Sequence, residues 1–143
     1  KKVGDHAFYC DFGMEQINLS NSEIIEDDAF NGCGRPGCKF DVRGAKTVGQ
    51  LAFWQTGAER LDLPNIEKIP QNAIEENDHL TYLNLGAARL DYLAVCSNPN
   101  LACIAISSMA TRNAAAIFDC PNAKIQDMNY MTMAAGNNKK KLR

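Results

Sequence analysis

The side chains suited to thiol and imidazole chemistry are few: six cysteines and two histidines. The cysteines fall in local pairs. Cys33 and Cys38 enclose Gly34-Arg35-Pro36-Gly37, and Cys96 and Cys103 enclose Ser97-Asn98-Pro99-Asn100-Leu101-Ala102. Both inserts are turn material, and a tight turn brings two Cα atoms into disulfide range. The preferred framework therefore joins Cys33 to Cys38 and Cys96 to Cys103, and leaves Cys10 to pair with Cys120. That long closure contributes about 4–5 kcal/mol in the chain-entropy model, less native strain. The spacing ranks this framework without fixing it, because six cysteines admit many pairings. Buried free thiols are one alternative. A zinc site from Cys33, Cys38, Cys10 and His6 is another, with one closely spaced pair supplying half of it.

Three disulfides imply an oxidising compartment, so the expected location is secreted, periplasmic or cell-surface. The chain opens Lys1-Lys2-Val3-Gly4-Asp5, without an apolar signal core. It reads as a mature form from which a signal peptide, or an anchor, has been removed. No apolar run is long enough for a membrane span.

For catalysis the candidate pair is Cys10 with His79, oriented by Asp78, Asp11 or Asp91. An imidazole raises the thiolate fraction of a neighbouring cysteine and returns the proton later, which is hydrolase chemistry of the peptidase or amidase kind. A full disulfide framework consumes that nucleophile, so this reading stands second. Glu23 and Asp27 read as carboxylates on a solvated face. Asp27-Asp28 with Asn31-Gly32 does not match a calcium loop. The glycines at 32, 34 and 37 lack the lysine and helix of a phosphate site. No catalytic residue, metal or cofactor is assigned. Asn18-Leu19-Ser20 is a glycosylation sequon, relevant only in a eukaryotic secretory setting.

Binding chemistry concentrates in the glycine-rich loop. Arg35, Lys39 and Arg43 are its cations, and a rigid loop loses little entropy when it engages a partner. Lysine and arginine total 15 against 17 acids, a formal charge of −2, and four of the basic residues lie in the last five positions. The remaining body is more acidic still. That argues against a phosphate-backbone partner, which needs a basic footprint.

The elements expected to position these groups are short helices followed by strands. Ser20 with Glu23, and Thr47 with Gln50, have capping-box spacing. They predict helices over 20–31 and 47–57, closed by Asn31-Gly32 and Gly57. Pro70 opens a small helix through Glu76. Residues 80–96 fit strands or a helix equally well. Leu101 to Ile106 reads as a buried strand, and turns at Asn98-Pro99, Thr111-Arg112-Asn113 and Pro121-Asn122 suggest hairpins. A last element runs from Ile125 to Ala134, through Tyr130 and Met131. No internal repeat stands out.

The expected fold is α+β: short N-terminal helices with a small antiparallel or mixed sheet in the second half, stapled by disulfides. A mostly helical second half is the main alternative. Residues 1–136 form one domain, and 137–143 form a mobile basic tail. A disulfide-closed loop beside a sheet resembles the soluble heads of pilin-like proteins, but the long N-terminal helix of such heads is absent. The expected function is a secreted or cell-surface binding or assembly module recognising another protein or a surface ligand. An effector or toxin directed at a host protein is a further alternative.

Overall fold

The computed structural model describes residues 1–107 and 112–128. The chain winds as a parallel β-solenoid, each complete coil contributing three short strands. The first sheet stacks β1 (Lys2–Val3), β3 (Ile24–Ile25), β5 (Thr47–Val48), β8 (Lys68–Ile69) and β11 (Arg89–Leu90). The second holds the longest strands. It comprises the pair β2 (Gln16–Asn18) and β4 (Lys39–Asp41), then β7 (Arg60–Asp62), β10 (Tyr82–Gly86), β13 (Cys103–Ile106) and β15 (Lys124–Asp127). A bridge between Cys38 and Ala58 links the two groups. The third stacks β6 (Phe53–Trp54), β9 (Ile74–Glu75), β12 (Val95–Cys96) and β14 (Ile117–Phe118).

The sequence winds this way because its apolar residues recur once per coil. In the first sheet Lys2 pairs with Ile24, Ile24 with Thr47, Thr47 with Lys68 and Lys68 with Arg89, so a coil takes 21 to 23 residues. A two-residue motif marks each pass through the third wall: Ala7-Phe8, Ala29-Phe30, Ala52-Phe53, Ala73-Ile74, Ala94-Val95 and Ala116-Ile117. Backbone bonds tie each motif to the next, from Phe8 N–H to Ala29 O (2.8 Å) through Val95 N–H to Ala116 O (2.9 Å). The five alanines from Ala29 onward are fully buried. Their small side chains leave the coil's interior to the larger neighbour. Phe8, Phe30 and Phe53 stack at 5.4 Å between successive ring centroids, and Phe40 meets Phe30 edge-on at 5.5 Å. Ile25, Val48, Ile69 and Leu90 form a second inward column, and Leu61, Leu83 and Ile104 a third.

Corners between walls are made by left-handed residues at repeating positions. One column is His6, Asp28, Leu51, Asn72 and Leu93, and another is Cys10, Gln55, Glu76, Ser97 and Asp119 with Gly32 among them. Such conformations are unfavourable for side-chain-bearing residues, and they persist here because stacking on both sides determines them.

A buried polar column runs beside the second of these corners. The Thr56 N–H and hydroxyl both donate to Asn77 Oδ1, at 2.9 and 2.6 Å. Asn77 Nδ2 donates to Phe53 O at 2.9 Å, and Asn77 N–H donates to Asn98 Oδ1 at 2.9 Å. Asn98 Nδ2 donates to Ile74 O at 3.2 Å and reaches Cys120 Sγ at 3.8 Å. The backbone register places Cys33 at the opposite end, beside Thr56. These side chains satisfy the carbonyls and amides that the sharp corner removes from the sheet ladder.

The expected α+β architecture is therefore overturned. The helices predicted over 20–31, 47–57 and 70–76 are absent, replaced by strand–corner–strand segments. Thr47 belongs to β5, and the Gln50 N–H donates to Asp27 Oδ1 at 2.8 Å instead of closing a capping box. Leu51, Asn72 and Glu76 carry positive φ at corners, where a helix would need negative values. The hairpins are overturned too, because among the described residues every strand pairing is parallel and the neighbour lies one coil away. The expectation of no internal repeat fails with them. The domain boundary at 136, the tail and the Tyr130–Met131 element lie outside the described residues.

Candidate functional site

The second sheet offers the broadest ordered surface. Its strands send Ile17, Leu61, Leu83 and Ile104 inward and their neighbours to the other face, where all but Ala105 retain exposure. Parallel register then lines the outward groups into two columns. One runs through Gln16 and Lys39, then Arg60, Tyr82, Cys103 and Lys124. The other runs through Asn18 and Asp41, then Asp62, Asn84, Ala105 and Gln126. Cationic and aromatic groups thus stand beside acids and amides.

Contacts within the sheet hold this surface in place. Arg60 makes a two-pronged bond to Asp62, at 2.6 and 3.2 Å, and its guanidinium lies 4.0 Å from the centre of the Tyr82 ring. The Asp62 carboxylate holds the guanidinium above its usual pKa range. Asn84 Oδ1 accepts from the Gly86 N–H at 3.0 Å, and Cys103 Sγ donates to Gln126 Oε1 at 3.4 Å.

The cations predicted as a recognition loop lie at the N-terminal end of this same region. Lys39 is exposed on β4. Arg35 pairs with Glu15 at 2.9 Å, and Arg43 with Asp41 at 3.2 Å. Gly34 permits the loop's close packing: φ is +89°, and a Cβ there would meet Cys38 Cβ at 2.7 Å. Asp62, Tyr82, Asn84 and Gln126 were not anticipated from the sequence. Their signal was the recurrence of 60, 82, 103 and 124 at coil spacing.

All six cysteines are free thiols in the structure. Cys10 and Cys120 belong to corner regions five coils apart, about 24 Å at one strand spacing per coil, far beyond bridging range. Cys96 sits on β12 between Glu75 and Phe118, whereas Cys103 lies on a different wall. Cys33 and Cys38 are both buried within the second coil, and burial pushes the Cys33 thiol up to about 12. Burial likewise raises the Cys38 and Cys120 thiols. A buried thiol at 33 and a half-buried one at 120 occupy the two ends of the asparagine column.

The Cys10–His79 pair does not form. The register puts Cys10 three coils from Glu76, beside which His79 lies, a separation of about 14 Å. Proton transfer needs hydrogen-bond distance. The zinc alternative is not assembled either. His6 instead faces carboxylates, with Nδ1 2.6 Å from Asp5 and Nε2 3.7 Å from Asp28. Those three residues bring one potential ligand atom each within 4.8 Å of one another, on an exposed corner.

Coils of nearly constant length, stacked aliphatic columns, a buried asparagine column and one broad outward sheet define a solenoid repeat protein. The match to known families agrees. Residues 1–124 fit the BspA-type leucine-rich repeat region in six copies, and the chain belongs to that family. No curated protein and no solved structure matches the chain. Repeats of this kind generally mediate protein–protein interaction. Among the described residues, no helix is long and apolar enough to cross a membrane.

Proposed function

We propose that this chain is a protein-recognition module of a secreted or cell-surface protein, and that its partner docks on the second sheet. The observation that carries this reading is the register-locked pair of outward columns on β7, β10 and β13. Tyrosine and arginine are the residue types that most often dominate interface energetics. Here Arg60 and Tyr82 are held against each other before any partner arrives, so little side-chain entropy is lost on docking. The mixed signs of the two columns select by charge pattern rather than by net charge.

The test is selection of binders from a displayed protein library, followed by affinity measurement against surface variants. Tyr82→Ala or Asn84→Arg should weaken the selected binders about tenfold or more while a cooperative unfolding transition shows that the solenoid stays folded. Binders indifferent to both substitutions would place recognition elsewhere. No binder beyond those of an unrelated control would end the protein-recognition reading.

A further inference from the structure

A second feature lies on another face. An open groove of about 800 Å³ follows the corner beyond the first sheet, from Asp27 to Arg112. It spans four coil steps, about 19 Å, the length of roughly six extended residues. Its charges are unevenly satisfied. Asp27 Oδ1 accepts from the Gln50 N–H at 2.8 Å, and Asp91 is engaged by Lys68 Nζ at 2.9 Å. Arg89 and Arg112 also line the groove, and among the described residues neither has an ion pair.

Arg112 is unusual in a second way. It pairs with Leu90 and so stands where Ile25, Val48, Ile69 and Leu90 form the inward aliphatic column. A leucine there would extend the column by another layer. The arginine is instead exposed at the groove's end. In a chain whose formal charge is −2, the two uncommitted guanidiniums concentrate positive charge in one cavity whose acids are already bonded.

We propose that this groove binds an extended acidic peptide segment of a protein partner, with Arg89 and Arg112 each receiving a carboxylate. A guanidinium fork matches a carboxylate in two-pronged geometry. Tyr92, half exposed beside the arginines, and the amide side chains of Gln50 and Gln71 supply the contacts a peptide backbone and side chain take up. Asp27 and Asp91 in the same groove disfavour dense polyanions such as nucleic acid, heparin or an anionic membrane. The inference rests on the protein-recognition reading and adds to it a second contact of defined chemistry.

The experiment measures fluorescence anisotropy of a labelled hexapeptide of alternating glutamate and glycine at low ionic strength, titrated with the whole chain. The expected result is saturable binding that weakens with added salt. It should fall about tenfold in the Arg89→Gln/Arg112→Gln double variant and stay within about twofold for Tyr82→Ala. Thermal unfolding of the double variant reports whether the solenoid is intact, and single variants at 89 and 112 replace it if it is not. Equal binding by the double variant, or by a lysine–glycine peptide, overturns the proposal. So does a heparin fragment or phosphatidylserine vesicle that displaces the peptide at lower charge concentration than unlabelled peptide does. Peptide binding lost only on Tyr82→Ala refutes the groove while leaving protein recognition standing. The library selection above tests protein recognition independently of the groove.

Discussion

Asn77 connects two neighbouring coils through one amide. It accepts from Thr56 twice, donates to Phe53 O and sends its own N–H to Asn98. Replacing it by alanine strands buried donors and a carbonyl, so Asn77→Ala should cost about 2–4 kcal/mol, read as a lowered urea midpoint. The Cys33 thiol makes a separate pH prediction. Its pKa is raised to about 12 in the folded chain from an ordinary value near 9. Above the unfolded value the unfolded chain binds fewer protons than the folded one, so stability falls as pH rises from 9 towards 12. Cys33→Ala should flatten part of that decline in urea titrations across the range. Six cysteines were legible as a local pattern, but their meaning was not. Spacing within the chain suggested loops closed by sulfur, whereas Cys33 and Cys120 stand at the ends of the asparagine column across several coils.

At the scale of the element, each short strand is specified by its neighbours above and below. Ala73 shows the tolerance. It is fully buried between Ala52 and Ala94 in the column beside Phe53, Ile74 and Val95. Ala73→Leu should therefore overpack the wall and cost about 1–3 kcal/mol, while Leu83→Ala, which empties a layer of the neighbouring column, should cost about 2–5 kcal/mol. Chemical denaturation of the two variants checks both. Part of the core was itself legible: Phe30, Leu83 and Ile104 stand out as apolar. Their periods were not. Val48, Leu51 and Ala52 satisfy helical spacing, yet Val48 and Ala52 belong to different walls and Leu51 is the left-handed corner between them. A local window cannot separate one helical turn from one solenoid corner. Comparison across a whole coil separates them, as the recurrence of Ala29-Phe30, Ala52-Phe53 and Ala73-Ile74 shows.

At the scale of the whole molecule, each coil touches chiefly the coils before and after it, so stability is close to a sum of coil and interface terms. Hydrogen exchange should therefore be slowest in the middle strands, such as β8, β9 and β10, and faster in β14 and β15. Uniform protection from β3 to β15 would show instead that the solenoid opens as one cooperative unit. The proposed peptide groove depends on this geometry, because only stacking brings Gln50, Gln71, Arg89 and Arg112 to one corner. Charge totals hid that site. A chain of net −2 reads as acidic until its uncommitted arginines are placed.

The coil register also governs how such a chain can change length. Gain or loss of one residue just ahead of Leu83 in β10 would turn Leu83 outward and break its pairing with Ile104. Gain or loss of a whole coil would instead rejoin equivalent strands, with alanine meeting alanine and asparagine meeting asparagine. Duplication and deletion within the gene are thus filtered toward steps of about 22 codons, a step size set by the stacking geometry. A lineage can lengthen its recognition surface by repeating one unit, then alter Arg60- or Tyr82-like outward positions while the inward columns stay the same.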